Sequence, residues 1–139
     1  MEKWFELFRS IVMPAHCDAY GHMNVRTYAA FFDDAAWHFP AMAGLKLSEL
    51  NARGLGTVVA TQTVEFHNEI KAGELVLIKG AIARVGTKSF NYEMRLYEPD
   101  SMRHCATQKA VEVCFDTVKR QSAPLPEDVK AKLQAIASG

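Results

Sequence analysis

Residues 25–39, VRTYAAFFDDAAWHF, limit the folds open to this chain more than any other stretch. Tyr28, Phe31, Phe32, Ala35 and Phe39 recur at helical spacing, Asn24 is placed to cap the start, and Pro40 is placed to end the pattern. At 100° per residue Trp37 falls nearly opposite Tyr28, with Ala29, Ala30 and Ala36 beside or near it. The expected helix, about four turns long, is therefore apolar nearly all round, and such a helix must be covered on nearly every side. A chain of 139 residues has room for one domain, 1–139, with one core. The cover must then be a sheet wrapped about the helix, a partner subunit, or both.

The rest of the chain supplies strands. Residues 5–14 alternate as a first strand closed by Pro14. A short amphipathic piece, Leu45 to Arg53, ends at Gly54 or Gly56, and three or four strands follow at about 56–67, 74–85, 89–98 and 104–118. Val58, Ala60, Gln62, Val64 and Phe66 share one face of the first of these. Phe90, Tyr92, Met94 and Leu96 share a face of the third, and Val111, Val113 and Phe115 a face of the fourth. Short links between them imply antiparallel hairpins. Pro126, Glu127 and Asp128 open a last helix with Val129, Leu133 and Ile136 as its stripe. The fold class is α+β, one helix lying against a curved antiparallel sheet.

Charge and cysteine content narrow the function. Sixteen Lys and Arg balance sixteen Asp and Glu, so no global field draws in nucleic acid or an anionic membrane, and any anionic ligand must be held by local charges. Cys17, Cys105 and Cys114 are odd in number and form no C-x-x-C pair, which fits free thiols in a reducing compartment. The start, MEKWFELFRS, lacks the apolar core of a signal peptide, and no run is long and apolar enough for a membrane span. A soluble, cytoplasmic protein is expected.

The chemistry concentrates in AHCDAYGHMN, residues 15–24, which admits four readings. His16, Asp18 and His22 could be metal ligands, joined by His67 or His104 from predicted strands, although no H-E-x-x-H or C-x-x-C spacing is present. Cys17 could be a nucleophile with His16 or His22 as its base, but an adjacent His16 on an extended segment points away from it, and a small half-buried hydrophobe at a strand end is the plainer role for Cys17. Asp18 and Gly21 could simply make a turn, with Asn24 capping the helix. Lastly, a strand could deliver Asp18 beside a helix N-terminus, whose unpaired N–H groups and dipole form an oxyanion pocket next to a carboxylate nucleophile or base.

The string D-A-Y-G-H-M-N-V-R-T-Y, Asp18 to Tyr28, resembles the D-x-x-G-H-x-N-x-x-x-Y signature of hotdog-fold acyl-CoA thioesterases of the 4-hydroxybenzoyl-CoA thioesterase type. The run F-H-N-E-I-K-A-G-E-L, residues 66–75, resembles the same family's turn into its next strand. The resemblance implies a hotdog fold, an antiparallel sheet wrapped around one long central helix, and hydrolysis of an acyl-CoA substrate without metal or other cofactor, coenzyme A being part of the substrate. It implies Asp18 as the catalytic carboxylate, attacking the thioester or acting as general base on water, and the Val25 backbone N–H as the donor that polarises the carbonyl. It gives Gly21, His22 and Asn24 the shaping of the turn, and Tyr28 a place in the substrate pocket. Lys88 and Ser89, in V-G-T-K-S-F, resemble a family turn and are the expected substrate contacts among the available cations and hydroxyls. A homodimer or homotetramer is implied, with pockets between subunits. The chain departs from the family at Asp33 and Asp34, where a helix glutamate is usual; both fall off the Tyr28–Phe32–Phe39 stripe. The alternative from another class is a binding module for acyl-CoA or a small acid that keeps the fold without turnover.

Overall fold

A computed structural model describes residues 3–137. Strand β1 (Phe5–Ile11) leads through a single 3-10 turn and the motif loop into α1 (Val25–Ala36). Two short helices follow, α2 (His38–Met42) and α3 (Leu47–Ala52), and then β2 (Leu55–Phe66), β3 (Leu75–Val85), β4 (Ser89–Glu98) and β5 (Arg103–Asp116). A two-residue strand, β6 (Gln121–Ser122), pairs with β5 before α4 (Glu127–Ala137) closes the order. The main sheet path is β1-β3-β4-β5-β2, and every pairing is antiparallel. The hotdog arrangement is present: Phe31, Phe32 and Ala35 of α1 and Phe39 of α2 are buried with Ile78 and Ile82 of β3 and Phe90, Tyr92, Met94 and Leu96 of β4 in one core. Val129 and Leu133 of α4 join the same core.

The long helix is shorter than its apolar pattern. It stops at Ala36, Trp37 makes a turn, and Pro40 lies inside α2 instead of ending the helix. Proline's ring clashes with the carbonyl four residues back, here that of Ala36, so a continuous helix fails at that residue. In α2 the same proline sits in the first turn, where a missing N–H costs nothing. The break lets Phe39 drop onto the sheet against Tyr92, with ring centroids 4.9 Å apart.

Two faces differ from expectation. Along residues 108–115 of β5 the buried residues are Gln108, Ala110, Glu112 and Cys114, while Val111, Val113 and Phe115 share the opposite, half-exposed face. On β2, an edge strand, only Val64 of the five expected face residues is even half-buried. The outer side of α1 is likewise uncovered within one chain: Ala29, Ala30, Asp33 and Asp34 are exposed, and Trp37 just beyond it keeps 57% of its surface open.

Candidate active site

The motif loop is a small hairpin. Cys17 and Met23 bridge across it, the Asp18 N–H donates to His22 O at 2.9 Å, and the Gly21 N–H returns to Asp18 O at 3.1 Å. Gly21 holds φ +81°, a left-handed conformation that glycine adopts without a side-chain clash. Inside this turn the Asp18 carboxylate is oriented by main chain alone. Its Oδ1 accepts the Tyr20 N–H at 2.8 Å and the His22 N–H at 3.3 Å, in the manner of an Asx turn. Its Oδ2 has no partner among the described residues.

The loop then passes straight into α1. The Met23 N–H donates to Ile70 O at 2.8 Å, and the Asn24 N–H to His16 O at 2.9 Å. The Asn24 side chain accepts the Thr27 N–H at 2.9 Å, the cap that the sequence called for. Thr27 Oγ1 lies 3.1 Å from His16 O and 3.0 Å from Asn24 Oδ1, tying the helix start back to the incoming chain. The Val25 and Arg26 N–H groups, first and second in the helix, have no intrahelical acceptor and find no other among the described residues.

Asp18 and Val25 line one cavity of about 310 Å³, together with His22, Met23 and Tyr28. Its other wall is Phe66, at the end of β2, and the His67, Asn68 and Glu69 that follow. Tyr28 meets Phe66 edge to face at 5.0 Å, and burial pushes its phenol up to about 12, so the hydroxyl stays neutral at physiological pH. His22 Nε2 lies 3.1 Å from Glu69 Oε2 and links the two walls.

The remaining histidine and thiol of the motif are turned elsewhere. His16 Nδ1 accepts the Met13 N–H at 2.9 Å, and its ring packs edge-on against Phe31 at 5.3 Å. Cys17 Sγ faces Met13 O at 3.6 Å and packs half-buried against the core. Among the described residues no three His, Cys, Asp or Glu side chains gather as a metal site would require. Asp33 lines a separate small cavity with Trp37, Thr57 and Glu112. Lys88 and Ser89 are not brought to Asp18 within one chain. Ser89 pairs with Val113 at one end of the β4–β5 ladder, whereas Phe66 and Leu96 both pair with Ala106 near the other. Seven residues of strand, roughly 24 Å, separate Ser89 from Leu96. The second wall, Phe66 to Glu69, is the part that the motif did not reveal. Its signal was the F-H-N-E run, which marks a strand end without showing that the strand end faces the loop.

Chemically, the cavity offers a fixed carboxylate with one free oxygen and, at Val25, an unpaired N–H group at the positive end of a helix. Such a carboxylate can remove a proton from water, or attack an acyl carbon, while the N–H group stabilises the oxygen that gains charge.

Comparison with known proteins places the chain in a family and a fold. The family described as the Thioesterase-like superfamily matches residues 12–133. A putative esterase, sll0410, of Synechocystis is 23% identical over 137 residues, covering 96% of this chain and 82% of its own. Among solved structures, the 1,4-dihydroxy-2-naphthoyl-CoA thioesterase Slr0204 of Synechocystis superposes with a TM-score of 0.82 at 16% identity, covering all of both chains. SAV2348 of Staphylococcus aureus, solved in complex with CoA, superposes with a TM-score of 0.88 at 18% identity over 99% of this chain and 86% of that one.

Proposed function

Since this chain belongs to the Thioesterase-like superfamily, we propose that it hydrolyses acyl-CoA thioesters at the Asp18 cavity, in the manner of the 4-hydroxybenzoyl-CoA thioesterase type. The observation that carries the reading is that Asp18, with a free Oδ2, lines the same cavity as Val25, whose N–H is the first unpaired donor of α1. The thioester carbonyl sits against that N–H, and Asp18 attacks it or takes a proton from the attacking water. Removing a donor of this kind costs about 10²–10³ in rate. Gly21, His22 and Asn24 hold the turn and cap that set the two groups, and Tyr28 lines the acyl side. No metal or other cofactor takes part. The protein works as a homodimer or homotetramer. The open β2 edge and the exposed Trp37, Val58 and Val59 provide the contact, and Lys88 and Ser89 of a second copy reach the CoA portion.

The test is steady-state hydrolysis of acetyl-, hexanoyl-, palmitoyl- and benzoyl-CoA by wild type and Asp18→Asn, the aryl ester included because of the Slr0204 relative. Turnover in wild type, lost at least 10²-fold in Asp18→Asn with CoA-ester binding kept, is the expected result. Binding without turnover by wild type replaces the enzyme with a binding module.

A further inference from the structure

Behind the second wall of the cavity lies a chain of side chains that the proposed reaction has not used. His67 Nε2 is 3.0 Å from Thr107 Oγ1, and Thr107 Oγ1 is 2.8 Å from His104 Nε2. The two imidazoles lie 4.6 Å apart, and the Tyr97 ring lies 5.1 Å from that of His104. The direction of these bonds follows from one further contact. His104 Nε2 is 3.1 Å from the Ala106 carbonyl, which can only accept, so that nitrogen carries the hydrogen. Thr107 Oγ1 therefore accepts from His104 and keeps a hydrogen that it can give to His67 Nε2. In that arrangement His67 carries its hydrogen on Nδ1, on a ring that lines the cavity with Asp18 and Val25. Nδ1 has no partner among the described residues. Burial and the neighbouring His67 hold the His104 imidazole below its usual range, which keeps the relay in this neutral arrangement.

We propose that His67 is a catalytic residue, its Nδ1–H donating a hydrogen bond to the thioester sulfur as that sulfur leaves, with Thr107 and His104 as positioning residues. The proposal rests on the hydrolase reading above. Asp18 and the Val25 N–H occupy the loop-and-helix wall and serve the attacking oxygen and the carbonyl. The sulfur is the third atom of the reacting group to gain charge, and His67 is the fixed donor on the other wall. As the C–S bond breaks, its electron pair goes to sulfur. The hydrolytic water leaves its hydroxyl on the acyl carbon and its other proton on the thiolate, and His67 ends as it began, neutral. The other charged or titratable groups about the ring are Asp18, His22, Tyr28 and Glu69 around the cavity, with Arg95 and Glu93 beyond His104.

The experiment measures benzoyl-CoA and hexanoyl-CoA hydrolysis by His67→Ala, His67→Asn and Thr107→Val, each checked for an unchanged melting temperature. His67→Ala is expected to lose about 10²-fold in kcat with KM within threefold. Asn, whose amide nitrogen stands near the place of Nδ1, should recover most of that loss. Thr107→Val should keep KM and lower kcat on the CoA esters about 10-fold, because the ring then loses the hydroxyl that orients it. Benzoyl 4-nitrothiophenyl thioester, whose thiolate needs no donor, should lose less than threefold in His67→Ala. A kcat within threefold of wild type in His67→Ala overturns the proposal. Equal losses on the CoA and nitrothiophenyl esters overturn the sulfur assignment, and an unchanged kcat, or a loss equal on both kinds of ester, in Thr107→Val overturns the positioning role. Wild type without turnover on any thioester sinks the hydrolase reading itself, whereas an active wild type with an indifferent His67 sinks only this one.

Discussion

The Tyr92 hydroxyl donates to Glu112 Oε1 across 2.9 Å between adjacent strands, β4 and β5, with both side chains buried. Burial lifts the Glu112 carboxyl above its usual range, opposed by hydrogen bonds from Thr57 and Tyr92 and reinforced by nearby Asp33. The folded state thus holds this proton more tightly than the unfolded chain, and the group costs stability as pH rises from about 4.3 through its folded pKa. Glu112→Gln keeps an acceptor for Tyr92 and removes the charge. It should melt near the wild-type temperature at pH 4 and above it at pH 7, with the gap widening in between; thermal melts across that range check the sign.

Gly80 on β3 faces Leu7 and Phe39. An added Cβ would come within 2.5 Å of Leu7 Cδ1 and 2.7 Å of Phe39 Cζ. Gly80→Ala should therefore cost about 1–3 kcal/mol, the range for overpacked cores, read as a lower urea midpoint at unchanged m-value.

Val25→Pro separates a backbone donor from the helix that carries it. Proline is well tolerated at the first helical position but has no N–H. The side chain lost is 69% exposed. The variant should fold with wild-type circular dichroism and lose about 10²–10³ in kcat; full activity would take the carbonyl away from this N–H.

β2 is twelve residues long, lies at the sheet edge, and leaves Val58 and Val59 exposed. Edges of this length invite pairing, and lysine is a common means of preventing it. Val59→Lys is expected to shift the sedimentation coefficient from oligomer towards monomer. If the contact carries Lys88 and Ser89 to a neighbour's cavity, KM for acyl-CoA rises in the same variant.

The helix, its Asn24 cap and the alternation of β4 were legible because each depends on residues close in sequence. Phe90 to Leu96 point inward in the order their spacing predicts. The break at Trp37 was misplaced because proline acts on the carbonyl four residues before it, which the apolar pattern does not register. On β5 the half-exposed Val111, Val113 and Phe115 read as strongly as a core face. The inward residues include Gln108 and Glu112, whose burial depends on partners from other strands, such as Tyr92. Asp18, Val25 and Tyr28 stand on one motif and could be read together. Phe66 to Glu69 reach the same cavity through the Met23–Ile70 bond and the His22–Glu69 pair, neither of which is a local property of the chain.

Both bonds that aim Asp18 come from the main chain of its own hairpin, at residues 20 and 22. The carboxylate and its mount thus form a self-contained cartridge, indifferent to which side chain Tyr20 presents to solvent. Phe66 and Asn68 of the far wall share no hydrogen bond with that carboxylate, so either can be exchanged without disturbing its aim. The outline of the cavity and the aim of the carboxylate are, in this molecule, separately mutable.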